Sequence, residues 1–152
     1  MNKWIKSGIF LILMIAIALG SSIYKKTHKI EKCDFDGVHI KPIYQVDIIL
    51  RDNATKRFDS IYCAYMWLSQ NMDAVSYVRV TDEVTGEKID SSIAYYVESE
   101  IITNNVNNNR VHAFLKLEDA EKHAVSYKGR IVKNPFEKIL RGVNKGEKKT
   151  LE

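Results

Sequence analysis

Residues 77–97 read Tyr77-Val-Arg-Val-Thr-Asp-Glu-Val-Thr-Gly-Glu-Lys-Ile-Asp-Ser-Ser-Ile-Ala-Tyr-Tyr-Val97, and this stretch decides the fold. Its opening residues alternate β-branched and aromatic side chains with a period of two, which predicts a strand. The polar residues 82–86 then supply a turn, in which Gly86 can adopt a positive φ. Residues 93–97 return as a second apolar block. The stretch therefore predicts the centre of a sheet, made of a strand, a tight turn and a returning apolar segment.

Apolar periodicity places further elements on both sides of this stretch. A run of Ile48, Ile49 and Leu50 predicts a buried strand, and residues 56–58 predict a short strand that returns beside it. The other predicted elements are a helix at 61–70, a strand at 111–115, a helix with the apolar stripe Leu117, Ala120, Ala124 and Tyr127, a strand at 130–133 and a helix that begins at Pro135. This order indicates a small α+β domain with a mainly antiparallel sheet and two or three helices.

Polar residues mark where these elements end. Asp59 or Ser60 can cap the first helix, and Gly129 stands where a helix C-cap is expected. Residues 104–110 are rich in asparagine and predict a polar loop that cannot form a core.

Length and composition leave room for one globular domain and little more. The chain has 152 residues, of which 45% are hydrophobic and 28% are charged. The predicted organisation is a membrane anchor or signal peptide at 1–24, a linker at 25–42, the α+β domain at 43–141 and a flexible tail at 142–152. The net charge is +4, but without Lys3 and Lys6 the residues 25–152 hold 21 basic and 19 acidic residues, a balance of +2 that argues against a nucleic-acid partner.

An uncharged, apolar run at residues 8–24 follows Lys3 and Lys6. About 17 residues is the lower limit for crossing a bilayer as a helix, so this run predicts a transmembrane anchor. The sequence Ala18-Leu19-Gly20 resembles a cleavage site, which leaves a removable signal peptide as the alternative. The lysines after the run favour a cytoplasmic domain, whereas lysines before it are also typical of an export signal.

Catalytic signatures are absent from the sequence. It contains no Gly-x-Ser-x-Gly, no phosphate-binding glycine loop and no His-Glu-x-x-His. The histidines show no ligand spacing with one another, and each is interpreted as solvated or hydrogen-bonded. We therefore predict no enzymatic activity and no small-molecule substrate.

Several pieces of the chain resemble one known family. They are Val80-Thr-Asp82 with Thr85-Gly-Glu87, Ala94-Tyr-Tyr-Val97, Phe58-Asp-Ser-Ile-Tyr-Cys63, and His112-Ala-Phe-Leu-Lys-Leu-Glu-Asp-Ala120 followed by Gly129-Arg-Ile-Val132. Across residues 44–133 they are similar to the nitrous oxide reductase accessory protein (NosL) family. The resemblance implies the fold of that family and a domain on the exterior face of the cytoplasmic membrane. It also implies a role in delivering Cu(I) to a copper enzyme such as nitrous oxide reductase.

The copper-binding motif of the family is only partly present. The run Cys33-Asp-Phe-Asp36-Gly37-Val38 resembles the Cys-x-x-Cys-Gly-Met motif, in which thiolate and thioether ligands suit Cu(I). Asp36 replaces the second cysteine and Val38 replaces the methionine. An aspartate is a hard oxygen donor and a valine is no donor, so the motif is degraded.

Cys63 and its neighbours offer a replacement site. Met66 follows Cys63 at i+3 on the predicted helix, so both side chains can point to one side, and His39 follows Cys33 in the preceding segment. A copper site formed by Cys33, Cys63, Met66 and His39 is one interpretation. The alternatives are that Cys63 is a core residue or that it forms a disulfide with Cys33 in an oxidising compartment.

Two functions follow from these observations. The first is a membrane-anchored extracytoplasmic accessory protein that assists Cu(I) delivery to a copper enzyme or its assembly. The second is a metal-free structural or interaction subunit of a membrane-associated complex, which has the same fold and lacks the metal. Both require a protein partner.

Overall fold

The computed structural model describes residues 31–140 and, before them, Met14 alone. The elements are β1 (Val46–Leu50), β2 (Thr55–Phe58), α1 (Ile61–Leu68), β3 (Val75–Thr81), β4 (Lys88–Asp90), β5 (Tyr95–Glu98), β6 (Val111–Phe114), α2 (Leu117–Ser126) and β7 (Arg130–Val132). Residues 137–140 are also helical, in agreement with the helix predicted after Pro135. Apart from Met14, the predicted anchor or signal peptide at 1–24 lies outside the described residues, as does the predicted tail at 142–152. Within the described part of the chain, no helix is long and apolar enough to cross a membrane.

The strands form two antiparallel sheets, whereas the sequence predicts one. The first has the order β2-β1-β3-β4 and the second has the order β6-β5-β7. The stretch 77–97 leaves the first sheet after β4 and enters the second as its central strand, β5. The chain turns between them at residues 91–94, where Tyr96 Oη donates a hydrogen bond to the Ser91 carbonyl at 2.9 Å. The small α+β class is confirmed, but the decisive stretch connects two sheets.

A buried cluster joins the first sheet to α1. Ile48 of β1 and Val78 of β3 are paired across the sheet and fully buried. Ala64 and Leu68 of α1 belong to the same cluster. Burying an aliphatic side chain of this size contributes roughly 1.5–3 kcal/mol relative to exposing it. Apolar packing therefore fixes α1 against the sheet.

Helix α1 begins at Ile61, as predicted, because Ser60 caps it. Ser60 Oγ accepts a hydrogen bond from the Cys63 N–H at 3.2 Å, which satisfies one of the amides exposed at the helix N-terminus. The helix ends at Leu68, two residues before the predicted end at 70. Of the two predicted caps, Ser60 takes the role, which leaves Asp59 for other contacts.

Two further predictions change once the packing is known. Gly129 is required by a close approach, because a Cβ there would lie 2.7 Å from the Glu98 carbonyl oxygen of β5. The positive φ at the end of α2 belongs to Lys128 instead, at 49°. Residues 32–42 also differ from the predicted linker, because Cys33 and Ile40 are part of the buried core.

Candidate metal centres

A tight loop carries Cys33 to the edge of the first sheet. The Cys33 N–H donates to the Val38 carbonyl at 2.8 Å, and Gly37, with φ +74°, closes the turn by donating to the Cys33 carbonyl. Asp34 fastens the loop to β2, because its N–H donates to the Arg57 carbonyl at 2.8 Å and its carboxylate accepts from the Arg57 N–H at 2.7 Å. Cys33 is consequently buried although its neighbours at 34–37 are exposed.

Helix α1 brings Cys63 to the same place. The Sγ atoms of Cys33 and Cys63 and one carboxylate oxygen each of Asp36 and Asp59 all lie within 4.8 Å of one another. We call these four residues the thiol cluster. Both cysteines are buried free thiols, so the disulfide alternative is wrong for this structure. A span of this size suits a single ion, since a metal–sulfur bond measures about 2.3 Å.

Hydrogen bonds already connect the groups of the thiol cluster. Cys63 Sγ donates to Asp36 Oδ2 at 3.2 Å, and Asn107 Nδ2 donates to Cys63 Sγ at 3.1 Å. The interaction with Cys63 lowers the pKa of the Cys33 thiol, while the same interaction together with burial raises the pKa of Cys63. Burial would raise the pKa of Asp36, but the Val38 N–H and the two thiols together hold this pKa below its usual value. Within the pair, Cys33 is the thiol that ionises more readily.

The asparagine-rich loop closes the thiol cluster from the other side. Asn104 Nδ2 donates a hydrogen bond to Asp59 Oδ2, and Asn107 Nδ2 reaches Ser60 Oγ as well as Cys63. Thr103, Asn104 and Asn109 are each only 5% exposed. The segment is a polar loop outside the hydrophobic core, as predicted, but the sequence did not predict that three of these polar side chains are buried. Its amides are buried because they satisfy buried acceptors that apolar side chains would leave without partners.

The predicted ligands are only partly brought together. Cys33 and Cys63 meet, as the replacement site required. His39 is exposed and lies in a β-bridge with Lys32, outside the thiol cluster. Met66 is half-buried on α1, where it follows Cys63 at i+3.

Two acidic members of the thiol cluster, Asp36 and Asp59, were not predicted as site residues from the sequence. From the sequence, Asp36 was interpreted only as the residue that replaces the second cysteine of the motif, and Asp59 only as a possible helix cap. A usable signal was that Asp36 and Asp59 each lie near a cysteine in sequence. That signal is weak, because the proximity of Cys33 to Cys63 follows only from the docking of the loop.

A second group of ligands lies in an open cleft of about 410 Å³. Glu83, His112 and His123 each offer one potential ligand atom, and these three atoms lie within 4.8 Å of one another. We call this group and the space around it the histidine cleft. His112 comes from β6 and His123 from α2, while Glu83 follows β3. The sequence correctly predicts His112 on a strand and His123 on a helix, but it does not predict that the two side chains lie close together.

Both imidazole rings are held by hydrogen bonds. His112 Nδ1 lies 2.9 and 3.0 Å from the Glu83 carboxylate oxygens, and His112 Nε2 lies 3.2 Å from the Ile101 carbonyl oxygen. His123 Nε2 lies 3.1 Å from Ser99 Oγ. The two ring centroids are 4.3 Å apart. These contacts fix the orientation of both rings before any ligand binds.

Burial perturbs the charged groups of the histidine cleft. Desolvation raises the pKa of Glu83, an effect that the hydrogen bond to His112 partly offsets. Desolvation and the charge of His112 together lower the pKa of His123 to about 4. The His123 ring is thus neutral near pH 7, which is the form of imidazole that binds metal ions.

Comparison with known proteins gives a match at the level of the fold. No protein-family model matches the chain, and no curated protein matches it. Among solved structures, the chain is similar to the copper chaperone NosL from Shewanella denitrificans, with a TM-score of 0.59. The two are 18% identical, and the match covers 68% of this chain and 86% of that chain. At this identity the likeness shows a shared small α+β fold with antiparallel sheets, which agrees with the fold implied by the sequence resemblance.

Proposed function

We propose that this protein is a copper-related accessory protein that carries Cu(I) as cargo between Cys33 and Cys63. The observation that carries the proposal is the meeting of these two buried free thiols, from a loop before β1 and from α1, within 4.8 Å. A pair of soft thiolates suits Cu(I). The likeness of the fold to a copper chaperone supports this choice of metal.

The donor set differs from one made of sulfur alone, so the ligands have unequal roles in the proposal. Cys33 and Cys63 hold the ion as thiolates. Asp36 and Asp59 supply hard oxygens, which Cu(I) binds poorly. Before the ion binds, Asp36 accepts a hydrogen bond from the Cys63 thiol and so orients this sulfur, and Asp59 acts through Asn104 by holding the asparagine-rich loop. Met66 and His39 are not required for binding.

The exposed loop gives a route for transfer. Residues 34–37 follow the buried Cys33 and are themselves exposed, and the Phe35 N–H donates to the Cys33 sulfur at 3.5 Å. A partner protein with its own thiol or thioether ligands can approach this loop and exchange ligands with the ion one at a time. We propose a copper enzyme, such as nitrous oxide reductase, as the recipient of the ion.

The place of action belongs to the same proposal. The apolar run at residues 8–24 would anchor the chain in the cell membrane, with the domain on its periplasmic or extracellular face. A non-catalytic role agrees with the similar solved structure, which is itself named a chaperone.

A metal-free interaction subunit is the second candidate function. It is favoured by the hydrogen bonds that already satisfy the thiol cluster, since Cys63 has both a donor in Asn107 and an acceptor in Asp36. Under this hypothesis the two thiols only tie the Cys33 loop to α1, and the surface of the domain binds a membrane-associated partner.

An anaerobic Cu(I) titration of the reduced full-length chain against a competing chelator separates the two functions. Copper carriage predicts one bound ion, which is lost in both Cys33→Ser and Cys63→Ser. The matched controls Met66→Leu and His39→Gln should bind Cu(I) as the unmodified chain does, because neither is one of the proposed ligands. Circular dichroism shows whether each variant is folded. Absence of binding by the unmodified, reduced chain would leave the interaction role.

A further inference from the structure

We propose that Glu83, His112 and His123 form a second metal site, distinct from the thiol cluster, which takes a divalent transition-metal ion of the zinc type. Two imidazoles and one carboxylate are borderline to hard donors, and such a set binds Zn²⁺ with a position left for water or another ligand. This inference stands whether or not the thiol cluster carries copper, because the two sites share no ligand.

The geometry of the three ligands is the first support. Their ligand atoms lie within 4.8 Å of one another although the residues come from three different elements. His112 is fully buried, and the ring of His123 lies 4.3 Å from it, centroid to centroid. Donors from β6, from α2 and from the segment after β3 therefore converge closely enough to share one ion.

The outer partners of the rings are the second support. The Ile101 carbonyl oxygen accepts a hydrogen bond from His112 Nε2, so the other ring nitrogen, Nδ1, points toward Glu83 and the cleft. Ser99 holds His123 at Nε2, and its Oγ also accepts from the Ile101 N–H at 3.2 Å. Metal-binding histidines generally use one nitrogen for such an outer hydrogen bond and the other for the metal. Both rings of the histidine cleft have such a partner, and both partners come from the segment 99–101.

The shape of the cleft is the third support. Its volume of about 410 Å³ is open to solvent beside the three ligands, and the aromatic rings of Tyr44, Phe114 and Tyr127 contribute to its walls. A structural zinc site is usually closed by four protein ligands, whereas three ligands beside open space leave room for a water or a small anion. The site is therefore of the open kind.

The test is a titration of the reduced full-length chain with Zn²⁺, followed through the imidazole nitrogen resonances. We expect the His112 and His123 resonances to shift together and to saturate at one equivalent for this site, while those of exposed His39 stay in place. Co²⁺ provides an independent readout, because binding at the histidine cleft produces ligand-field bands without the thiolate-to-metal charge-transfer band that the thiol cluster would add.

Variants then assign the site. His123→Gln and Glu83→Gln should each weaken Zn²⁺ binding at the histidine cleft by roughly tenfold or more, which is at least the loss typical of disturbed metal sites. The matched control His39→Gln should change nothing. Neither variant removes the fully buried His112, and circular dichroism checks their folding.

Three results would overturn the inference. The first is no shift of the His112 and His123 resonances in the unmodified chain at saturating Zn²⁺. The second is a cobalt spectrum made up of thiolate bands alone, and the third is unchanged Zn²⁺ affinity in both His123→Gln and Glu83→Gln. Any of these would leave the His112–Glu83 contact as a structural pair only.

Discussion

One segment, residues 99–107, contacts both the thiol cluster and the histidine cleft, but the two sites differ in their donor atoms and in their exposure to solvent. Ser99 and Ile101 hold the rings of the histidine cleft, and a few residues later Asn104 and Asn107 close the thiol cluster. Both thiols of the thiol cluster are buried, whereas the histidine cleft is open to solvent.

The two sites therefore differ both in the metal ions that their donor atoms favour and in how easily solvent reaches them. Sulfur donors select soft ions such as Cu(I), and imidazole with carboxylate selects borderline divalent ions. On the proposed assignments, the buried thiols shield their ion from solvent, while the open cleft exchanges its ion with solvent. The fold would then present two sites with different metal preferences.

The largest expected effect comes from His112→Ala. The imidazole is fully buried against Glu83, whose side chain is only 11% exposed, so its removal leaves a buried carboxylate and the Ile101 carbonyl without a partner. Breaking a buried pair of this kind lowers the free energy of unfolding by about 3–5 kcal/mol. Urea denaturation measures the change. The exposed control His39→Ala should stay within about 0.5 kcal/mol of the unmodified chain, and a similarly small loss in His112→Ala would show that Glu83 does not depend on this ring.

Asn104→Ala tests the closure of the thiol cluster. Asn104 is buried and donates to Asp59, so its removal leaves a buried carboxylate oxygen unsatisfied. We expect a loss of about 1–3 kcal/mol in the free energy of unfolding. The neighbouring Asn105 is exposed and serves as the matched control, since Asn105→Ala should cost less than about 0.5 kcal/mol. Equal losses in the two variants would mean that the contact with Asp59 adds nothing.

Asp36→Cys sharpens the contrast in metal choice. It places a third sulfur beside Cys33 and Cys63, and the same position holds a cysteine in the motif that this run resembles. Cu(I) affinity should rise by about tenfold, or roughly 1.4 kcal/mol, because a soft donor replaces a hard one. Competition with a Cu(I) chelator measures the change. Asp52→Cys adds a thiol in an exposed turn and should leave the affinity unchanged, and an equal gain there would point to nonspecific thiol binding.

The smallest effects come from a pair of variants that separate the two sites. Asn107→Ala removes the hydrogen bond to the Cys63 sulfur, and Ser99→Ala removes the one to the His123 ring. Asn107 also contacts Ser60, and Ser99 Oγ also accepts from the Ile101 N–H. Each variant should therefore lower the free energy of unfolding by about 1–2 kcal/mol, since one hydrogen bond contributes about 1 kcal/mol net. The His123 imidazole resonance should move in Ser99→Ala and stay in place in Asn107→Ala. A shift in both variants would show that the sites are coupled through the segment 99–107.

Local signals in the sequence predicted most of the elements. Period-two alternation located β3, and the cap at Ser60 located the start of α1, because both depend on residues close in sequence. The division into two sheets was missed, because which strands pair after the turn at 91–94 depends on long-range contacts. Gly129 was singled out correctly, but the reason for it, the nearby Glu98 carbonyl, is visible only in three dimensions.

The candidate sites also differ in how much of each could be predicted from local sequence signals and how much depends on long-range contacts. The sequence identified Cys33 and Cys63 as candidate ligands, because thiolates suit Cu(I) and Cys33 matches the first cysteine of the motif that its run resembles. Asp36 and Asp59 join them only after the loop docks on β2 and α1. The histidine cleft had no local signal, since its three ligands come from three separate elements.

The sequence by itself determined the element types, the α+β class and the identity of the two thiols, since these follow from periodicity, capping and side-chain chemistry. The tertiary structure alone decided that the thiols are unbonded neighbours, that buried asparagines close the thiol cluster, and that Glu83, His112 and His123 meet. The physical reason is that a metal site requires donors within a few ångströms of one another. Packing sets such distances between residues that are far apart in the chain, and local sequence patterns do not predict them.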